Sequence, residues 1–287
     1  MTRVVYVNGA YLPYAQAGVH AEDRGNQFGD AVYEVCEVLK GRLVDETRHL
    51  ARLVRSLDEL GIDLPMTTKA LGRVMRESIR RNRVHEGLVY CQVSRGAAPR
   101  SFLFPGPDVP PTLIVLARRV GRAAAESQAA EGIAVKTMPD SRWGRVDIKT
   151  VMLLPSVIAK EAARAEGAKE AWFVDKDGRV TEGGSSNAWI IDAQGHLITR
   201  QADEGILRGI TRDVLIELAA RRGLVVVERA FTVAEAYAAR EAFVTSATNL
   251  VMPVVRIDGR AIGNGHPGSF AVDLRRQFHS AAEIAAA

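Results

Sequence analysis

The sequence is poor in cysteine and contains no long apolar run. No stretch of about 18 consecutive apolar residues occurs, which is the length that a membrane-spanning helix requires, so we expect no membrane span. The two cysteines, Cys36 and Cys91, lie far apart in alternating apolar segments. Their placement favours reduced, buried thiols in a cytoplasmic protein over a disulfide. Residues 1–9 have the pattern of a strand and a turn, not that of a signal peptide.

A large excess of charge of one sign is also lacking. The 38 basic and 34 acidic residues leave a net charge of +4. In the most basic stretch Glu77 and Glu86 interrupt the arginines, and no series of aromatic residues accompanies them. We therefore expect a solvated helix face there and no nucleic-acid partner. The arginines of this stretch are Arg73, Arg76, Arg80, Arg81 and Arg83.

The sequence does contain strand and helix patterns in alternation. Residues 4–12 alternate around Asn8-Gly9, a dipeptide suited to a two-residue hairpin turn. Residues 46–60 carry apolar side chains at helical spacing and are followed by Gly61, and residues 67–83 show a second helical pattern. The polar, glycine-bearing residues 20–30 read as a loop.

The order of these elements predicts an α+β fold in two domains with mostly antiparallel sheets, the second sheet curled toward a barrel. Residues 121–132 are rich in Ala, Gly, Ser and Glu, and we interpret them as a linker. The expected domains are therefore 1–120 and 133–287.

Lys149 stands where a strand-like run gives way to a helical pattern, among aliphatic neighbours. Loss of hydration in such surroundings penalises the charged amine, which makes its neutral form available as a nucleophile toward carbonyl compounds. A surface lysine at a strand end is the alternative interpretation.

Three groups could hold a ligand near such a lysine. Glu182 lies in a Gly/Ser turn, and the backbone amides of Ile210 and Thr211 open a helix, where an anion can bind. Arg52 lies close to the apolar stripe of its helix and needs an anion, either a phosphate or an internal carboxylate. An exposed hairpin acid and a plain N-cap threonine are the alternatives for the first two. An amine, an acid and a phosphate site are the attachments that pyridoxal phosphate needs.

The ordered set of motifs resembles the fold-type-IV pyridoxal-phosphate enzymes, which include D-amino-acid and branched-chain aminotransferases and aminodeoxychorismate lyase. Within that family the chain is most similar to the D-amino-acid aminotransferases. The resemblance implies a smaller N-terminal α/β domain and a larger C-terminal pseudo-barrel domain. The matching segments span nearly the whole chain: Glu22–Glu34, His49–Leu53, Ser94–Arg100, Asp147–Lys149, Thr181–Asn187, Gly209–Asp213 and Phe243–Ser246.

The resemblance implies a role for each matching residue. Lys149 would form the Schiff base with pyridoxal 5′-phosphate and move the proton, and Glu182 would face the pyridine nitrogen. Arg52 would bind the phosphate. The remaining cofactor contacts implied are Ser185, Ser186, Leu207, Ile210, Thr211 and Ser246. A departure from the family pattern is Ala247, where relatives can carry a threonine.

Tyr33 and Arg100 match two members of the family's trap for the substrate carboxylate. In relatives the arginine comes from the other subunit, so the resemblance implies a homodimer with shared active sites. The third member, a histidine, is Phe102 in this chain. Because phenylalanine donates no hydrogen bond, the trap must be weaker or built differently.

The expected activity is transfer of the amino group of a D-amino acid, such as D-alanine, to 2-oxoglutarate or pyruvate. Phe102 makes the trap more apolar, which keeps a branched-chain L-aminotransferase or an (R)-amine transaminase as alternatives. Aminodeoxychorismate lyase is a further alternative of another reaction class. The alternative hypothesis outside this family is a basic binding module without enzymatic activity.

Overall fold

A computed structural model describes residues 3–284, and its contacts divide the chain into two compact units. Among the described residues, unit 1 comprises 3–122, 148–152 and 283–284, and unit 2 comprises 123–147 and 153–282. The short segment 148–152 belongs to unit 1 although both of its chain neighbours belong to unit 2. No helix within residues 3–284 is long and apolar enough to cross a membrane.

Unit 1 is built on a six-stranded antiparallel sheet in the order β2-β1-β6-β5-β3-β4. Its elements in chain order are β1 (Val4–Val7), β2 (Ala10–Pro13), α1 (Arg24–Phe28), β3 (Ala31–Leu39), β4 (Arg42–Leu43), α2 (Glu46–Leu60), α3 (Thr68–Asn82), β5 (Gly87–Ser94) and β6 (Thr112–Arg119).

The predicted helices and hairpin of unit 1 are present. Asn8 and Gly9 both have positive φ, 43° and 99°, as a tight two-residue hairpin turn between β1 and β2 requires. Helix α2 has the predicted bounds, and Gly61 ends it in the left-handed conformation. The Thr67 side chain caps α3 by accepting a hydrogen bond from the Ala70 amide.

The apolar faces of α2 and α3 pack against one face of this sheet. Leu53 and Leu57 of α2 and Met75 of α3 are each 1% exposed in that core. Cys36 and Cys91 lie in the same core as free thiols, and burial raises the pKa of both. The thiols are therefore held protonated and unreactive, as structural buried cysteines are.

The expectation of a loop at residues 20–30 was wrong in its centre, where α1 forms. This helix has no apolar periodicity and depends on its ends. The Asp23 carboxylate accepts a hydrogen bond from the Gly25 amide at 2.9 Å, and Gly29 ends the helix with φ of 70°. Capping of so short a segment is not visible as a periodic pattern in the sequence.

Unit 2 combines a ten-stranded sheet with the remaining helices of the described chain. Its elements are α4 (Arg122–Glu131), β7 (Ile133–Pro139), α5 (Leu154–Ala165), β8 (Glu170–Val174), β9 (Arg179–Gly183), β10 (Asn187–Ile191), β11 (Leu197–Thr199), α6 (Ile210–Arg221), β12 (Val226–Glu228), β13 (Phe231–Thr232), α7 (Val233–Tyr237), β14 (Glu241–Ser246), β15 (Leu250–Ile257), β16 (Arg260–Ala261) and α8 (Ser269–Ala281).

The strands of unit 2 follow the order β12-β11-β10-β14-β15-β7-β8-β9-β13, with β16 paired to β15. Although β9 and β10 are far apart in this order, they contact each other, and the Gly183 amide donates to the Ser186 carbonyl at 2.6 Å. The sheet is therefore strongly curled, in agreement with the expected pseudo-barrel. The turn that joins β9 to β10 therefore connects strands that are five places apart in the order of the sheet.

The stretch expected as a linker, residues 121–132, contains α4, whose Ala129 is buried in the core of unit 2. The proposed domains 1–120 and 133–287 stay a prediction, since compact units defined by contacts are not the same as independently folding domains.

Candidate active site

Lys149 is fixed by backbone pairing to β3. Its carbonyl oxygen accepts a hydrogen bond from the Tyr33 amide at 3.0 Å, and the Val151 amide donates to the Ala31 carbonyl at 3.1 Å. Nζ of Lys149 lies 4.3 Å from the centroid of the Tyr33 ring. The chain neighbours Ile148 and Thr150 are buried, while Lys149 itself is half-buried. The lysine is therefore held against an aromatic face, unlike a solvated lysine at a strand end.

Arg52 forms an ion pair with the buried carboxylate of Glu34, which lies on the face of β3 opposite to Tyr33. Its Nε donates to Oε1 of Glu34 at 2.7 Å and its Nη2 to Oε2 at 2.8 Å. Nδ1 of His49 lies 2.7 Å from Oε2 of Glu34. Burial favours the protonated carboxyl, but Arg52 and His49 outweigh it, so the pKa of Glu34 is well below its usual range.

Arg52 thus forms the salt bridge to an internal carboxylate that was one of the two alternatives predicted from the sequence. This salt bridge does not prevent Arg52 from also binding a phosphate. A guanidinium has five donors, and one carboxylate fork uses one edge of it. Ser56 stands one turn after Arg52 on α2, and its Oγ is 3.4 Å from the Lys149 amide. Arg52 and the backbone of Lys149 therefore border the same face of α2.

Glu182 is buried at the end of β9 and surrounded by donors of unit 2. Arg142 donates to its Oε1, the Asn187 amide group donates to Oε2 at 2.9 Å, and the Leu207 amide lies 3.2 Å from both oxygens. Burial disfavours the charged form of Arg142, but Asp140 and Glu182 outweigh it and raise the pKa of Arg142. Glu182 therefore faces a permanent cation, which favours its ionised form.

The turn after Glu182 is tied to a second buried acid. Glu170, 3% exposed, has its Oε2 at 2.9 Å from Oγ of Ser185 and 3.1 Å from Oγ of Ser186. Lys160 donates to the same oxygen at 3.2 Å and to Ser185 at 2.8 Å. A Cβ at Gly184 would lie 2.9 Å from a methylene carbon of Lys160, so a side chain there would displace Lys160.

The start of α6 leaves its first backbone amides without a side-chain cap. Its N-cap is Gly209, and a Cβ there would overlap Oδ1 of Asn187. Ile210 and Thr211 follow as buried residues of the first turn. Helix α6 packs on β14, which ends at Ser246, and Oγ of Ser246 accepts a hydrogen bond from the Asn249 amide at 3.2 Å. An uncapped helix start of this kind suits an anion.

Tyr33 and Arg100 lie in unit 1, one in a strand and one in a loop. Tyr33 is half-buried and stacks on Tyr90 with ring centroids 5.5 Å apart. Arg100 is exposed, and its Cζ lies 4.8 Å from the Phe28 ring centroid. Phe102, where the resemblance implies a histidine, is 87% exposed and packs edge-on to Phe28 with ring centroids 5.7 Å apart.

The structure thus brings together Lys149 and Tyr33 in unit 1, and Glu182 and Leu207 in unit 2. Sequence reasoning missed Arg142 and Asn187, the partners of Glu182, and Glu34, the partner of Arg52. Asn187 ends the matching segment Thr181–Asn187, and Arg142 precedes the segment Asp147–Lys149 by five residues, but no spacing rule indicated their roles. For Glu34 the sequence held one indication. Glu34 directly follows Tyr33 in a predicted strand, so its side chain must point to the opposite face of β3.

Comparisons with known proteins show the family of this chain. The profile of the amino-transferase class IV family matches residues 31–257, and the chain belongs to this family. The family expectation is therefore confirmed.

Particular relatives cover almost the whole chain. A D-alanine aminotransferase from Staphylococcus haemolyticus is 37% identical over 279 residues, 97% of each protein. One from Bacillus licheniformis is 39% identical over 94% of each. Among solved structures, a T.th. branched-chain amino acid aminotransferase with pyridoxamine 5′-phosphate is 26% identical with a TM-score of 0.89, covering 98% of this chain and 94% of that one. The predicted fold class is confirmed.

The buried pair of Glu34 and Arg52 yields a pH prediction. The pKa of Glu34 is lowered from 4.5 in the folded state, so its stabilising contribution is complete above that value and declines as the pH falls further. We expect Glu34→Gln to lower the free energy of unfolding at pH 7 by about 3–5 kcal/mol, because Arg52 is left without its counter-ion. Urea unfolding from pH 7 to pH 3 measures this.

The matched control is Glu59→Gln on the exposed face of α2, where the ion pair with Arg55 is 3.7 Å long. Its effect should stay below about 0.5 kcal/mol. The difference between wild type and Glu34→Gln should shrink below pH 4.5; a difference that is constant with pH would contradict the assignment.

Proposed function

We propose that this chain is a pyridoxal-phosphate-dependent transaminase that moves the amino group of a D-amino acid, such as D-alanine, to 2-oxoglutarate or pyruvate. The observation that carries the proposal is the similarity to D-alanine aminotransferases, 35–39% identical over 94–97% of the chain. The surroundings of Glu182, of the start of α6 and of Lys149 support the proposed chemistry.

The donor set fits the charged groups of the cofactor. The buried carboxylate of Glu182 suits a protonated ring nitrogen, and the cation of Arg142, which donates to it, favours its ionised form. In unit 2 the uncapped start of α6 with Thr211 and Ser246 suits a phosphate. Arg52 of unit 1 is assigned to the phosphate on the family resemblance, and a guanidinium suits that anion. Ser185, Ser186 and Leu207 are assigned to the remaining contacts with the cofactor. When bound, pyridoxal phosphate supplies an electron sink for the carbanion at Cα.

Lys149 is the covalent attachment point and the base. In each half-reaction its amine would take the proton from the substrate Cα and later return a proton. The ring of Tyr33, 4.3 Å from Nζ, restricts the directions in which the amine can turn. Backbone bonds to β3 hold the lysine in place through both half-reactions.

The substrate carboxylate binds Tyr33 and Arg100, with Arg100 supplied by the second subunit of a homodimer. Unit 1 exposes Phe102, Leu103 and Phe104 in succession, at 87%, 78% and 67%. In unit 2, Leu154, Val157 and Ile158 of α5 are exposed by 59–67%. Apolar side chains so exposed in groups are typical of surfaces that a second copy covers. We assign a cytoplasmic location, which the two free thiols support.

A branched-chain L-aminotransferase is the second candidate. A solved branched-chain amino acid aminotransferase is 26% identical with a TM-score of 0.89, and Phe102 stands where the resemblance implies a histidine of the trap. D-alanine, L-leucine and an (R)-amine, each assayed with 2-oxoglutarate, separate these activities. Release of pyruvate from aminodeoxychorismate without a 2-oxo-acid acceptor would instead identify a lyase.

Lys149→Ala tests the attachment point. Wild-type protein supplied with pyridoxal phosphate should be yellow, and borohydride should fix the label on Lys149, as peptide mass spectrometry would show. The variant should lose the visible band and all measurable turnover, because the amine that forms the Schiff base is removed. Lys176→Ala, an exposed lysine of unit 2, serves as the control and should keep both. A wild-type protein without the band would overturn the proposal.

Glu182→Gln tests the ring-nitrogen role. Glutamine keeps the volume and can still accept from the Leu207 amide, but it cannot hold a positive charge on the ring. We expect bound cofactor at wild-type stoichiometry and kcat lowered by roughly 100-fold or more. Glu161→Gln, exposed on α5 and paired with Arg164, is the control. Unchanged turnover in Glu182→Gln would remove it from this role.

Arg100→Ala tests the carboxylate contact. A charge-assisted contact of this kind contributes about 1.5–3 kcal/mol, so KM for D-alanine should rise by roughly 10-fold or more. Single-turnover reaction with an amine that lacks a carboxylate should change little. An equal loss for both substrates would argue against a carboxylate clamp.

A further inference from the structure

Arginine and phenylalanine side chains alternate beside the loop that carries Arg100. Cζ of Arg100 and Cζ of Arg24 lie 4.8 Å and 4.6 Å from the centroid of the Phe28 ring. Arg24 is also 5.9 Å from the Phe104 ring, and Arg95 is 3.7 Å from it. All five residues belong to unit 1. We call Arg100, Phe28, Arg24, Phe104 and Arg95 the arginine–phenylalanine stack.

The inner part of the stack is anchored by hydrogen bonds. Oδ2 of Asp30 accepts from Nε of Arg24 and from Nε of Arg95, both at 2.8 Å. Arg95 also donates to the carbonyls of Leu60 and Gly61, at 2.6 Å and 3.0 Å, where α2 ends. Arg24 is 3% exposed, so its geometry is set by packing and by these partners.

Arg24 reaches from this anchor to the loop itself. Its Nη1 donates to the carbonyl of Ser101 at 2.8 Å and to that of Leu103 at 3.3 Å. Residues 101–104 are in neither helix nor strand, so the sheet does not fix them. The bonds from Arg24 therefore tie down the backbone on the C-terminal side of Arg100, and Phe28 supports the Arg100 guanidinium.

We infer that Arg24 and Phe28 are positioning residues for Arg100 and thereby set the affinity of the enzyme for the substrate carboxylate. The inference rests on the proposed function, in which Arg100 binds that carboxylate. An exposed arginine on an irregular loop would lose conformational freedom on binding, and a guanidinium held in advance on an aromatic face loses less. The stack also explains how Arg100 is held although Phe102 offers no hydrogen bond.

Phe28→Leu and Phe28→Tyr form the matched pair of variants. Leucine keeps an apolar side chain but removes the π face, and tyrosine retains it. We expect Phe28→Leu to raise KM for D-alanine about 2- to 5-fold, as loss of an exposed cation–π contact predicts, with kcat within about 2-fold of wild type. Phe28→Tyr should restore the wild-type KM. Arg24→Lys replaces the separated Nε and Nη1 donors by a single nitrogen, which cannot reproduce their geometry toward Asp30 and the two carbonyls, and it should also raise KM.

A double variant separates positioning from a general structural role. In the Arg100→Ala background, Phe28→Leu should change KM for D-alanine by less than about 1.5-fold, because both substitutions remove the same contact. Tyr14→Leu is the control; Tyr14 is an exposed ring 3.6 Å from Cζ of Arg3 in the same unit, and its removal should leave KM unchanged.

The outcomes distinguish this inference from the proposed function. A wild-type protein that binds no pyridoxal phosphate refutes both. An active wild type whose KM is unchanged by Arg100→Ala refutes the carboxylate contact of Arg100 and the inference together. If KM rises in Arg100→Ala but is unchanged by Phe28→Leu, or if the two effects multiply in the double variant, the inference alone is refuted. Should Arg24→Lys fail to fold, the Phe28 pair and the double variant still decide the question.

Discussion

Pairing of residues 149–151 with β3 is the constraint on which the candidate site depends. Two backbone hydrogen bonds of 3.0 and 3.1 Å join this segment to a strand more than 100 positions earlier in the chain. Because side chains alternate along a strand, β3 presents Tyr33 to Lys149 and Glu34 to Arg52 on its opposite face. Strand β3 thereby positions both the amine of Lys149 and the guanidinium of Arg52. A change of register in this pairing would exchange the two faces.

Buried carboxylates recur in both units, and each is surrounded by donors. Glu34 has Arg52 and His49, Glu182 has Arg142 and Asn187, and Glu170 has Lys160 with two serines. Burying a charge costs several kcal/mol, and the partners offset that cost only when their geometry is good. Buried carboxylates with such partners add little net stability, but their hydrogen bonds form in only one arrangement of the surrounding loops. That is the property that a cofactor site requires.

The substitution at Phe102 has a structural consequence that extends beyond one lost hydrogen bond. The Phe28 and Phe102 rings pack edge-on, and the Arg100 guanidinium lies over Phe28, so aromatic faces surround the charge. A guanidinium on an aromatic face keeps its own donors available for a carboxylate, whereas a histidine would bind the carboxylate directly. The same apolar surroundings are what keep a branched-chain substrate as the second candidate.

Local pattern was sufficient for much of this fold. Helix α2, α3 and the hairpin at Asn8-Gly9 follow from apolar periodicity, caps and turn residues, which neighbouring positions encode. The order of motifs was sufficient to identify the family. The tertiary structure alone decided that residues 148–152 join unit 1, that Arg142 meets Glu182, and that Arg24 holds the loop of Arg100. These contacts join positions 40 to 118 residues apart, and no local periodicity records them, because they arise from the packing of distant segments.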